Sequence, residues 1–311
     1  MNFLLRKKAH IAFILSLLAI IIVAFAVFLS KNPLQHIEIL SPKSITAASS
    51  TDPFASISIE AKAAYVIDLS NGKILFSKNA DEVLPLASLT KLVSVIVASK
   101  YLPAGTNVSI AVGDSNGLDP GETWSFDKLV DFTLVTSSNV GINSIASVAG
   151  ALISTTTESN SQNVFVDEMN RTMTSLGFSD MRFINPSGLD ESTTTSGGYG
   201  SAKDVAGILS YLIKNHPDLI SATANEKTTL DSDYVSHIAT NTDEALPIIP
   251  SLIASKTGYT ELAGGNLAVI MDAGLMHPVA LVVLGSSYDG RFSDMVNLAK
   301  ATIETLSNKS F

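Results

Sequence analysis

The chain has 311 residues, 46% of them hydrophobic, and a net charge of −9. That length supports one or two domains with a real core, and the acidic balance argues against a nucleic-acid partner. With no cysteine there is no disulfide framework, thiolate metal site or cysteine nucleophile. The five histidines fall at no metal-ligand spacing, and HExxH, P-loop and GxGxxG patterns are absent.

The first element is a membrane segment. Arg6, Lys7 and Lys8 precede a nearly unbroken apolar run from Ala9 to Leu29, and roughly 20 apolar residues cross a bilayer as a helix. The run ends in Phe28-Leu29-Ser30-Lys31, and Ala47-Ala48 lies too far downstream to serve as a cleavage site. Residues 1–30 are therefore expected to be a cytoplasmic tip and an uncleaved signal anchor, with the basic cluster inside and the remainder outside. Residues 31–58, rich in Ser, Pro, Thr and Ala, read as a juxtamembrane linker, and residues 59–311 as the globular domain.

That domain opens with two β-rich runs around Ser70-Asn71-Gly72, a hairpin. "LPLASLTKLVSVIVASKY" (84–101) is a buried helix that nevertheless carries Lys91 near its start. Residues 101–124 are loop-rich, and residues 125–150 read as helix, turn, helix. Phe165, Met169, Met173 and Leu176 recur at helical spacing, with Gly177 as the C-cap. Ser201 and Asp204 start another helix as a capping box. Three strands follow, including "IASKTGYT", with a hairpin at Ala273-Gly274, and then a closing helix. The fold class is therefore α/β in the α+β sense: an antiparallel sheet flanked by helices, with a helical subdomain at about 100–225 inserted between its strand groups.

Three short motifs carry chemistry. Ser88 and Lys91 are three apart on one helix face, so the hydroxyl and the amine can meet. A lysine among Val, Ile and Leu is desolvated, which favours the neutral amine, a base able to activate the serine. The alternative is a lysine snorkelling to the surface. Ser70…Lys73 and Ser125…Lys128 match the same pattern, so the tetrapeptide alone does not decide. Ser137 and Asn139 lie at the turn joining two apolar helices, where they either point into a cleft or cap a helix. Lys256-Thr257-Gly258, followed by Tyr259, lies on a strand. It offers a cation and a donor to a carboxylate, or else an exposed edge-strand lysine. In this order, S-x-x-K, S-x-N and K-T-G form the signature of penicillin-binding proteins and class A β-lactamases.

Residues 60–306 resemble the low-molecular-mass D-alanyl-D-alanine carboxypeptidases, the serine peptidases of the S11 type. The likeness extends through "AAYVIDLSNGKILFSKNADEVLPLASLTKL", "FVDEMNRTMTSLGFSDMRFINPSGLD", "SAKDVAGI" and "KTGYTELAGGNLA". The resemblance implies a β-lactamase/DD-peptidase-like fold. Ser88 would be the acylated nucleophile, Lys91 its base and Ser137 a proton relay. Asn139 would hold the substrate amide, and Lys256 and Thr257 its terminal carboxylate. Gly258 belongs to the same strand motif, and the N–H groups of Ser88 and Tyr259 would form the oxyanion hole. No metal or organic cofactor is implied. The expected partners are a peptidoglycan stem peptide ending in D-Ala-D-Ala, β-lactams as covalent inhibitors, and the membrane through the N-terminal helix. The expected location is a bacterial cell membrane, single-pass, with the catalytic domain extracytoplasmic. Two positions depart from the family: Val140 where Asp often follows the S-x-N, and Ala254 where Gly commonly precedes K-T-G. D,D-endopeptidase activity, β-lactamase activity and a catalytically silent wall-binding role stay open as alternatives on this fold. No Glu-x-x-x-Asn stretch of the β-lactamase kind precedes Lys256.

Overall fold

The computed structural model describes residues 22–23, 52–154, 160–274 and 276–307. The expected membrane segment lies outside them apart from Ile22 and Val23, as does the expected linker up to residue 51. Among the described residues, no helix is long and apolar enough to cross a membrane. The end of the expected linker, residues 52–58, already belongs to the folded unit. Asp52 caps a short turn, Pro53–Ser56, and Phe54 is buried, stacked on Phe76 with ring centroids 5.3 Å apart.

Five strands build the central sheet: β1 (Ala63–Asp68), β2 (Ile74–Lys78), β3 (Leu252–Thr260), β4 (Gly264–Asp272) and β5 (Pro278–Ser286). Their order is β3-β4-β5-β1-β2, antiparallel throughout, so β3 is an edge strand. The expected joining of the N-terminal and C-terminal strands in one sheet is what the register shows, with Ala63 opposite Leu284 and Asp68 opposite Val279.

Side chains alternate between two cores because successive residues of a strand face opposite ways. Ala63, Tyr65, Ala268, Ile270, Ala280, Val282 and Leu284 enter the larger one. Ala64, Val66, Leu267, Val269, Met271, Val279, Leu281 and Val283 enter the smaller. The larger core receives helices α1 (Thr90–Ser99), α2 (Phe126–Thr136), α3 (Asn139–Ile153), α4 (Ser161–Ser175) and α5 (Ala202–Asn215); α6 (Gly290–Ser307) covers the other face. Local chemistry sets the ends. Ser201 and Asp204 form the expected capping box of α5. After α4, Gly177 takes φ +92°; Phe178 N donates to Met173 O and Gly177 N to Thr174 O, a Schellman closure. Two hairpins were not expected. One pairs Asn107–Ser109 with Thr123–Ser125, inside the stretch read as loop; the other pairs Lys227–Asp231 with Ser236–Thr240.

Candidate active site

Ser88 sits in a single 3-10 turn, Ala87–Leu89, that feeds directly into α1. Ala87 takes φ 48°, which turns the chain sharply before the helix. Two glycines are required for other backbone to close on this turn. A Cβ on Gly258 would stand 2.9 Å from Leu86 O and 3.2 Å from Ser88 N, and one on Gly188 would stand 1.9 Å from Ala87 O. Strand β3 and the loop after Asn185 therefore press against the Ser88 turn from two sides.

Lys91, one turn along, is fully buried. Its Nζ lies 2.7 Å from Ser88 Oγ, 2.7 Å from Asn139 Oδ1 and 3.0 Å from Ser187 O. Burial drives its pKa well below the usual lysine range, and the nearby Lys256 charge adds to that. A neutral amine has two N–H groups and one lone pair. The two carbonyl oxygens can only accept, so they take both N–H groups and the lone pair is left facing the Ser88 hydroxyl. The loop that supplies Ser187 O is itself pinned. Ser94 donates to Pro186 O at 2.7 Å, and Asn185 Oδ1 accepts from Gly188 N at 2.8 Å.

Between α2 and α3 the three residues divide the work. Ser138 is the N-cap, its hydroxyl accepting from Gly141 N at 2.9 Å. Ser137 and Asn139, on either side, line the cleft. Both readings of this turn thus hold, on different residues. Lys256, 1% exposed, is no surface lysine: it donates to Ser137 Oγ at 2.9 Å and to Thr257 O at 3.0 Å. Burial, helped by Arg291, lowers its pKa to about 7, with Asp243 acting in the opposite direction.

Ser88, Ser137, Asn139, Thr257, Gly258 and Tyr259 line one cleft of about 460 Å³, and Lys91 and Lys256 lie beneath it. All eight expected site residues therefore converge. On the edge strand, Ser255 N donates outward to Thr223 Oγ1 at 3.1 Å. The period of two then turns the Tyr259 N–H to the same open edge, towards the side where Gly258 meets Ser88. The other S-x-x-K matches stay apart: Ser70 donates to Asp68 at 2.6 Å in the β1–β2 turn, and Lys73 and Lys128 are exposed.

Several residues in and beneath the cleft carried no role in the sequence reading, and four of them bear on the chemistry. Ser187 contributes only a backbone oxygen. Thr242 Oγ1 lies 2.5 Å from Thr257 Oγ1. Asn116 reaches the rim. Arg291, at the start of α6, donates to Gly258 O at 3.0 Å, and its guanidinium carbon lies 4.3 Å from the Tyr288 ring centroid. Asn116, Thr242 and Arg291 carry no local motif, and Ser187, although it lies in the INPSGLD stretch, acts through a main-chain oxygen that its side chain does not mark. Among the described residues, the carboxylate lining the cleft is that of Glu244, exposed at its rim, and no group of three or more acidic, His or Cys side chains could hold a metal ion.

Set beside known proteins, residues 46–288 match the model of the D-alanyl-D-alanine carboxypeptidase family, peptidase S11. The chain is 29% identical over 261 residues to the D-alanyl-D-alanine carboxypeptidase DacF of Bacillus subtilis, covering 79% of this chain and 64% of that protein. It is 29% identical over 204 residues to DacB2 of Mycobacterium tuberculosis, covering 64% and 66%. The chain thus spans just under two thirds of the length of these relatives. Among solved structures, it superposes on penicillin-binding protein D2 of Listeria monocytogenes in its ampicillin-bound form. The TM-score is 0.66 at 26% identity, covering 79% of this chain and 98% of that one.

Proposed function

This chain belongs to the D-alanyl-D-alanine carboxypeptidase family of S11 peptidases, and from that premise we propose that it is a serine-type D-Ala-D-Ala carboxypeptidase trimming peptidoglycan stem peptides. The observation that carries the reading is the buried Lys91 amine 2.7 Å from the Ser88 hydroxyl, with its other two contacts to carbonyl oxygens.

Lys91 takes the hydroxyl proton as Ser88 Oγ bonds to the carbonyl carbon between the two D-alanines. The developing oxyanion is met by the N–H groups of Ser88 and Tyr259. The C–N bond breaks, and the departing D-alanine nitrogen takes the proton that Lys91 gained, relayed through Ser137, whose hydroxyl is held by Lys256. Water then attacks the ester and regenerates Ser88. Asn139 orients the substrate amide. Thr257, backed by Thr242 and by the Lys256 and Arg291 charges, receives the terminal carboxylate. β-Lactams would acylate Ser88 by the same route. With only the exposed Glu244 as a carboxylate lining the cleft among the described residues, the adduct should turn over slowly, unlike that of a β-lactamase.

The apolar run Ala9–Leu29 behind three basic residues supports anchoring in a bacterial cell membrane with the catalytic domain outside. The mass of the N-terminal peptide recovered from membranes tests whether the anchor is retained.

A second reading, D,D-endopeptidase, draws support from the rim. Glu244 lines both the cleft and a second, separate groove of about 470 Å³ with Ala245, Ile248, Phe292 and Val296, where part of a leaving group larger than alanine would find room. The deciding experiment treats wild type and Ser88→Ala with labelled penicillin followed by intact mass, then assays D-alanine release from a pentapeptide beside cleavage of a cross-linked dimer. A stable adduct on wild type alone, with D-alanine release, is expected. No adduct and no release would leave only a silent wall-binding protein.

A further inference from the structure

Ser137 has φ 62° and ψ 29°, a left-handed conformation that residues with a Cβ avoid unless their surroundings impose it. One loop, residues 113–121, grips the chain on both flanks of this serine. Upstream, Asn116 Nδ2 donates to Thr136 O at 3.2 Å. Downstream, the Ser138 hydroxyl donates to the Asp114 carboxylate while accepting from Gly141 N, so one hydroxyl both caps α3 and ties it to the loop. The other Asp114 oxygen accepts the N–H groups of Asn116 at 3.0 Å and Leu118 at 3.2 Å, and Asp114 N donates to Leu118 O at 3.0 Å. The carboxylate therefore closes the loop on itself and fastens the closed loop to the turn. Lys256 reaches the Ser137 hydroxyl from the opposite wall. The two side chains that grip the turn fill no core: Asp114 is half-buried and Asn116 is exposed.

We propose that Asp114 and Asn116 are positioning residues for acyl transfer, holding Ser137 in its left-handed conformation so that its hydroxyl faces the reacting groups. The inference rests on the acyl-transfer reading above. Misplacing a reacting group by about 1 Å can cost on the order of a hundredfold in rate, and it does so in the chemical step, not in binding.

The test measures the rate of Ser88 acylation at saturating labelled penicillin, the half-saturating concentration and the melting temperature, all on the full chain. Asp114→Ala should acylate about tenfold or more slowly, with half-saturation changed less than about threefold. Asp114→Asn should recover to within about threefold of wild type, because an amide still reaches both the loop N–H groups and the Ser138 hydroxyl. Acylation of Asp114→Ala at the wild-type rate, or Asp114→Asn as slow as Asp114→Ala, would overturn the proposal. Should Asp114→Ala fail to fold, Asn116→Ala decides: about three- to tenfold slower acylation at unchanged half-saturation supports it, and the wild-type rate overturns it. A wild type that penicillin does not label and that releases no D-alanine would sink the enzyme reading and this inference together. A labelled wild type with an unaffected Asp114→Ala sinks this inference alone.

Discussion

The two ends of α1 each hold a lysine in hydrogen-bonding contact, and the two are opposites. Lys100, at the C-terminal end, keeps a side chain 44% exposed and meets Glu168 at 2.8 Å, which also binds Arg171, Tyr101 and Thr172. Burial pushes the Glu168 carboxyl up, but hydrogen bonds from Lys100 and Tyr101 and the two cations outweigh it and hold its pKa below the usual range. Lys91, nine residues earlier, is buried outright, has only oxygens of uncharged groups around it, and is pushed towards neutrality. A cation with its counter-ion serves the fold. A buried amine without one is costly for the fold and useful for chemistry.

The sharpest way to break that contrast is Lys91→Met. It should lower Ser88 acylation by about a thousandfold or more, within the range general-base loss produces, while the melting temperature moves little. Next in size is the pH response of Lys256. Its cation is present below about pH 7 and lost above it, so kcat/KM for a carboxylate-ended substrate should fall as pH rises through about 7, by up to about tenfold per unit. Lys256→Arg, charged throughout, should remove that falling limb. Glu168→Gln should act the other way from Lys91→Met, costing about 1–2 kcal/mol of stability at pH 7 with acylation unchanged. Because the Glu168 pKa is depressed, that loss is full above the ordinary carboxylate range and should shrink as pH falls below about 4 in thermal melts. The smallest effect belongs to Asp131. Burial, then Asp127 and Asp218, raise its pKa to about 6, so its ionisation opposes folding above pH 6 and not below the usual carboxylate range. Asp131→Asn should stabilise by about 1 kcal/mol at pH 7.5 and leave melts at pH 4 unchanged. If Glu168→Gln slowed acylation as strongly as it lowered the melting temperature, the division between the ends of α1 would fail.

What was readable in the sequence divides along the same physical line. The sheet, its two strand groups and the helices α1 to α6 follow from apolar periodicity, and the α5 capping box from two residues at fixed spacing. The two missed hairpins have short strands with mostly exposed or half-exposed side chains, such as Lys227–Asp231 with only Leu230 buried, so no apolar pattern marks them. Three tetrapeptides matched S-x-x-K equally. What separates Lys91 from Lys73 and Lys128 is burial, to which the apolar run after Lys91 pointed. At Ser137-Ser138-Asn139 the choice between cap and cleft was false, because alternate residues do each. Thr242 and Arg291 were invisible because tertiary placement alone brings them to Thr257 and Gly258. Asp114 was invisible because its partner is a hydroxyl 24 residues away.

The closure of the sheet has a kinetic side. β1 pairs with β5 across more than two hundred residues, and the site itself joins Lys91 to Asn139 and Ser137 to Lys256 over separations of 48 and 119. Such distant pairings form late, because loop-closure entropy opposes them until much of the chain is in place. Until Lys256 and the edge strand have docked, Ser88 has neither a sealed base nor an oxyanion site, and its hydroxyl is as inert as any other serine's. If Ser88 acylates as proposed, its reactivity would switch on only with the final long-range contacts, and penicillin labelling during refolding would act as a clock for the last step of assembly.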